Sequence, residues 1–261
     1  MFRKFRILIL LFILATVAVG AWRANARLMA WEHTVHVALY PIAADDSPAT
    51  RRFVAELDPD AFAGISEWLQ AQTAIHGRDV LQPVALHLAP PLAERPPLPP
   101  LPPRQAGMAD AILWSLHFRW WAARHDAIAA PRPAVRLFVL FHDPARTNPL
   151  PHSTGLAKGQ VALIHAFASP EQRRQNAVVI AHELLHAFGA SDKYDPVTLL
   201  PQWPDGYAEP EREPRHPQRL AEIMGGRIAI APGKAEIPDG LGDTAIGPAT
   251  AREIGLLRST R

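Results

Sequence analysis

Residues Ile7 to Trp22 (ILILLFILATVAVGAW) form an uncharged run of 16 apolar or small side chains. A helix built from them has no polar face to offer water, so it is not the surface helix of a soluble body. The run is longer than a signal-peptide core of about 7–15 residues and shorter than a spanning helix of ~20. Arg3, Lys4 and Arg6 precede it, and Arg23 and Arg27 follow, a slight positive-inside bias toward a cytoplasmic N-terminus. The expectation is a signal anchor, or a signal peptide removed near Ala24-Asn25-Ala26. Either one makes residues 1–31 a targeting segment and carries residues 32–261 out of the cytoplasm, membrane-anchored or secreted/periplasmic.

That division also explains the charge. The whole chain carries +2, but residues 1–31 hold five cations and no acid, so the remainder is acidic by about −3. No basic run interleaved with aromatics occurs there, and nucleic acid is excluded as a partner. The chain has no cysteine, which removes disulfide frameworks, Cys-ligated zinc, iron–sulfur clusters and thiol nucleophiles. Any metal site must come from His, Asp and Glu. At 261 residues there is ample material for a buried core.

Alternation from His33 to Ile42 predicts a strand ended by Pro41. Pro59 to His76 places Phe62, Ile65, Leu69 and Ile75 at helical spacing before a stop at Gly77. Pro83 to Leu88 predicts a short strand. The segment 90–103 (PPLAERPPLPPLPP) holds much of the surplus of 27 prolines and predicts a stiff polyproline II loop rather than a docking ligand. Gln105 to Asp126 predicts a helix with Ile112, Leu116 and Trp120 in one row and Trp114, Phe118 and Trp121 in another, both expected in a core. Val135 to His142 reads as a central strand, 143–158 as a loop, and Gln160 to Phe167 as a further strand with His165 half-buried on it. Leu200 to Gln218, rich in proline and charge, is long for a plain connection and is expected to border a cleft.

The segment from Ser169 to Gly189 carries the chemistry. Ser169, Pro170 and Gln172 predict an N-cap, a first-turn proline and a capping box; Ala177, Ile180, Leu184 and Phe188 predict the core-facing row, and Gly189 the stop. Within it lies His182-Glu183-Leu184-Leu185-His186. Histidines four apart share one helix face, so both imidazoles reach one ion, and Glu183 is turned about 100° from His182. Two neutral His nitrogens and one more ligand suit Zn²⁺ with a position left for water, and Glu183 suits the general base.

The string continues to Gly189 and Asp192, and over Ala181 to Asp192 it resembles the metzincin zinc peptidases, H-E-x-x-H-x-x-G-x-x-H. The third His is replaced by Asp192, as in the snapalysin branch, which also has a Tyr two positions later, here Tyr194. Ala221 to Gly226 (AEIMGG) resembles the family's methionine turn, although Gly226 stands where some members have a tyrosine. The resemblance implies an α+β fold: a mixed sheet, an active-site helix, a Met-turn and a C-terminal helix, expected at Thr244 to Leu257. It implies zinc held by His182, His186 and Asp192, a peptide or protein substrate, and Glu183 as catalytic base. It also implies an edge strand that aligns the peptide, expected at Gln160 to Phe167, and an oxyanion-stabilising tyrosine, with Tyr194 and Tyr207 as candidates. Glu222 and Glu209 remain alternatives for the third ligand of a glutamate-type zinc peptidase, and Asp195 is expected to order its loop. A non-peptidase zinc hydrolase and an inactive envelope binding protein are the other readings.

Overall fold

The fold is seen in a computed structural model that describes residues 2–58, 60–90, 98–103, 107–128, 130–156 and 160–257, without the side chains of 2–4, 13, 17 and 21. Positions 91–97 of the proline-rich segment, Pro59 and Gln105 therefore lie outside the described residues.

The β-branched runs form a five-stranded mixed sheet, ordered β2 (Val84–Leu88), β1 (Val35–Ala43), β3 (Val135–His142), β5 (Val161–Phe167) and β4 (Thr154–Leu156). The first four are parallel, and β4 is antiparallel to β5. The chain is thus mixed α/β with a mixed sheet, preceded by an apolar helix, α1 (Phe2–Ala30). Pro41 does not end β1, which pairs with β3 as far as Ala43. Leu39 turns its carbonyl to Ala89 at the end of β2, so the like-facing position 41 lies past that neighbour and forfeits no ladder bond.

Helices cover both faces. One core joins Val37, Leu39, Leu137, Val139 and Ile164 to α3 (Ala63–Ile75) and α5 (Arg173–Phe188). The other joins Tyr40, Phe138, Leu140 and Leu163 to α4 (Met108–Arg124). The strands present large apolar side chains both ways because both faces are covered. Within α4 the rows part company: Phe118 and Trp121 are buried and Trp114 packs beside them, whereas Ile112, Leu116 and Trp120 are exposed. The expected burial of both rows is corrected to one.

One element was not anticipated, and two further expectations change. A short helix, α2 (Pro48–Ala55), starts at Ser47, whose hydroxyl accepts from the Ala49 amide. The 143–158 segment is not all loop, since β4 lies within it. The closing segment forms β9 (Thr244–Ala245), paired with β6 (Ala221–Glu222), and only a six-residue helix, α6 (Pro248–Glu253). The hairpin of β7 (Ile228–Ala231) and β8 (Lys234–Glu236) follows the methionine turn.

The last turn of α1 belongs to the body. Leu28 and Trp31 are buried, the Trp31 ring stacks on Phe188 at 4.9 Å, and its indole N–H donates to the Ile254 carbonyl at 2.7 Å.

Candidate metal centre

Helix α5 starts three residues later than its capping signals predict. Ser169 donates its hydroxyl to Glu171 instead of capping, and the chain turns from β5 through amide bonds from Gln172 to Ser169 and from Arg173 to Pro170. Its core row packs as expected, with Ile180, Leu184 and Phe188 fully buried. Gly189 ends it at φ 105°, a left-handed conformation that glycine adopts without penalty.

That turn brings Asp192 back beneath the histidine face. The Nε2 atoms of His182 and His186 lie 3.1 Å apart, and Asp192 Oδ1 lies 3.1 and 3.2 Å from them. Among the described residues these three form the one group of three or more His, Asp or Glu able to share an ion. The far ring nitrogens are tethered: Nδ1 of His182 is 2.9 Å from the Ile223 carbonyl, and Nδ1 of His186 is 2.8 Å from that of Ala190. A carbonyl only accepts, so each Nδ1 carries a proton and each Nε2 is the ring nitrogen left to face the centre.

The Ile223 carbonyl belongs to the turn containing Met224. Amides of Gly225 and Gly226 both close on the Glu222 carbonyl, Gly226 has φ 71°, and Met224 is buried in the core. The turn therefore fixes the orientation of His182.

Glu183 is buried, and its Oε2 has no hydrogen-bond partner among the described residues. Burial pushes its carboxyl up, with the neighbouring histidines opposing. Burial also works against charge on His182, but its bond to Asp192 and the field of Glu183 outweigh that and hold it up at about 9. Burial would raise Asp192; hydrogen bonds from His182 and His186 instead hold its carboxyl far below the usual range. A cation bound here must displace whatever protons these groups hold.

The rival ligands are elsewhere. Glu222 is wholly buried and accepts from the Thr250 hydroxyl and the Gly225 and Gly247 amides, while Glu209 pairs with Arg212. Asp195 accepts from the Val197 and Thr198 amides, as a loop-ordering residue does. Tyr194 lies by the site, its ring 6.4 Å from that of His182, and burial together with the Asp192 and Glu183 charges raises its hydroxyl to about 12. Tyr207 is 3.1 Å from His216 through its hydroxyl. His165 is buried and pairs with His142 at 2.8 Å.

Two parts of the site escaped sequence reasoning. The sheet edge beside α5 is β4, not the 160–167 strand, which is flanked on both sides. At Gly155 an added Cβ would stand 2.5 Å from His186 Cβ and 3.2 Å from Glu183 Oε2, so only glycine lets the edge approach so closely. Next to His182 lies an apolar cavity of about 320 Å³ walled by Leu150, Val179, Ile223, Ile237 and Pro238. None of residues 200–218 lines it; that stretch packs behind the methionine turn, with the Gly206 carbonyl where a Cβ on Gly225 would fall. A comparison with protein-family models and with curated proteins finds no match.

Proposed function

We propose that the protein is a zinc-dependent peptidase of metzincin type, held at a membrane or released from it, with its catalytic domain outside the cytoplasm. One observation carries the reading: two imidazole Nε2 atoms and a carboxylate oxygen converge within 3.2 Å beside a buried carboxylate oxygen that has no close hydrogen-bond partner among the described residues. The donor set of two nitrogens and one oxygen fits zinc with room for water. His182, His186 and Asp192 hold the ion. When bound, zinc supplies Lewis acidity toward a carbonyl and brings the pKa of coordinated water to about 7.

The chain's own residues do the rest. Glu183 accepts the proton of the attacking water at its unpartnered oxygen and passes it to the leaving amine. Burial raises its proton affinity, which suits an acid–base group working near neutrality. Tyr194, kept protonated by its raised pKa, is a hydrogen-bond donor for negative charge developing on the carbonyl oxygen. A peptide adding as a strand to β4 passes over Glu183 and His186, and the cavity at His182 receives an apolar side chain.

Metal analysis and casein cleavage on the purified full chain test this. One zinc per chain and chelator-sensitive cleavage are expected. Glu183→Gln should retain zinc and lose about 10²–10⁴-fold in kcat. Full activity in that variant, or a chain that takes up no zinc, refutes the proposal.

A further inference from the structure

Five large apolar side chains on α4 face water: Met108, Ile112, Leu113, Leu116 and Trp120 are 54–84 % exposed. At 100° per residue they share a face about 140° wide along the whole helix. Leu98 and Leu101, from the proline-rich segment before α4, are exposed as well. Arg119 is the one charged residue within that face, and a soluble body rarely displays so long an apolar strip without using it.

The chain itself points to an occupant, a lipid surface. The same chain carries α1, whose Phe5–Ala30 stretch includes an 18-residue window of mean hydropathy 2.3, none of it buried against the body. The base of α1 lies at the amino ends of β1 and β3, and Asp126, just past α4, reaches the same edge of the body. Ala24, Arg27 and Leu28 wall a cavity of about 590 Å³ there with Val35, Arg132 and Arg136, and Arg136 binds Asp126, two residues after α4.

That edge is cationic. No Asp or Glu lines the cavity, and among the described residues Arg27 and Arg132 have no carboxylate partner. Arg124 closes α4 by stacking over the Trp120 ring at 4.9 Å. An apolar strip ending in tryptophan and arginine beside a basic rim is the chemistry of an interfacial helix on anionic lipid.

We propose that the exposed face of α4 lies on the lipid surface of the membrane that α1 enters, with the basic rim over the headgroups, so that the body is held in one orientation. The proposal rests on the anchor reading of α1. A chain free of cysteine permits a clean test: full-length protein carrying Leu116→Cys, Leu113→Cys, Leu10→Cys or Val197→Cys, each labelled with an environment-sensitive fluorophore and reconstituted into phosphatidylcholine–phosphatidylglycerol vesicles with brominated acyl chains. Labels at 113 and 116 should be quenched by the brominated lipid almost as strongly as the label at 10, while the label at 197, on a side chain 87 % exposed, is not. Replacing phosphatidylglycerol by phosphatidylcholine should weaken the quenching at 113 and 116 and leave that at 10 unchanged. Quenching at 10 alone overturns the proposal and leaves the anchor standing. No quenching at 10 overturns both. Labels at 113 and 116 that are blue-shifted yet indifferent to bromine indicate a second protein copy on this face, which also overturns it.

Discussion

At the scale of single residues, two carboxylates near one turn, Asp192 exposed and Glu222 buried, have opposite fates. Asp192 meets both imidazoles, whereas Glu222 collects three donors from the backbone and Thr250. Asp192→Ala is expected to weaken zinc binding by more than about 100-fold, beyond the usual effect of losing an outer partner, with the fold intact. Glu222→Ala should do the reverse: three buried donors are stranded at ~1–3 kcal/mol each, so the melting temperature falls, while molecules that remain folded still bind zinc. Competition titration with a chromogenic chelator and thermal melts separate the two, and zinc loss confined to Glu222→Ala would reassign the ligand. His165 makes a pH prediction. Burial, with His142 beside it, pushes its imidazole down to about 4. Unfolded histidine takes its proton near pH 6.5, so below that the unfolded chain binds more protons and stability falls with pH. The contribution is complete above about pH 6.5 and has dropped by ~3 kcal/mol near pH 4. Urea midpoints across that range should slope accordingly, and His165→Gln should flatten the slope.

At the scale of elements, the close approach of β4 to α5 yields a sharper test than either element alone. A Cβ at 155 meets His186 Cβ, an atom fixed to the helix backbone, so the strand itself must move. Gly155→Ala should cost ~1–3 kcal/mol in overpacking and lower casein cleavage further than the loss of folded protein explains. Activity per folded molecule equal to wild type would mean that β4 has no part in holding substrate. The same pair shows how far sequence reaches. Helix α5 was legible because its information is local: the core row repeats at helical spacing, the His pair shares a face, and Gly189 supplies the left-handed stop for Asp192. The edge strand was not, because Thr154–Leu156 is three residues in a loop-like composition and becomes a strand only by pairing with β5. Leu150, Ile237 and Pro238 were invisible for the same reason, being joined to His182 only by tertiary packing. Capping signals misled at Ser169, where the chain leaving β5 needs a tight turn before the helix axis is set, but the unread Ser47-Pro48 pair does open a helix.

At the scale of the whole molecule, α1 and the body share a joint. Phe188 is the last residue of the helix that holds both imidazoles, and Trp31, just past α1, stacks on it while bonding the Ile254 carbonyl. Leu28 is buried in the same core, and the Met29 carbonyl lies where a Cβ on Gly255 would stand. Helix α1 is therefore not loosely tethered to the body, and the point at which the chain is made to begin decides stability. A chain beginning at Arg27 keeps Leu28, Met29 and Trp31 in place and should fold with near-native stability. A chain beginning at Glu32 loses a buried tryptophan and a buried leucine, which by large-to-small precedents costs ~3–5 kcal/mol or more. Because the void opens at the C-terminal end of α5, zinc affinity should fall along with the melting temperature. Parallel melts and zinc titrations of the two truncations decide the matter. Equal stability would show that Trp31 merely rests on the surface of Phe188, and that the body's core closes without it.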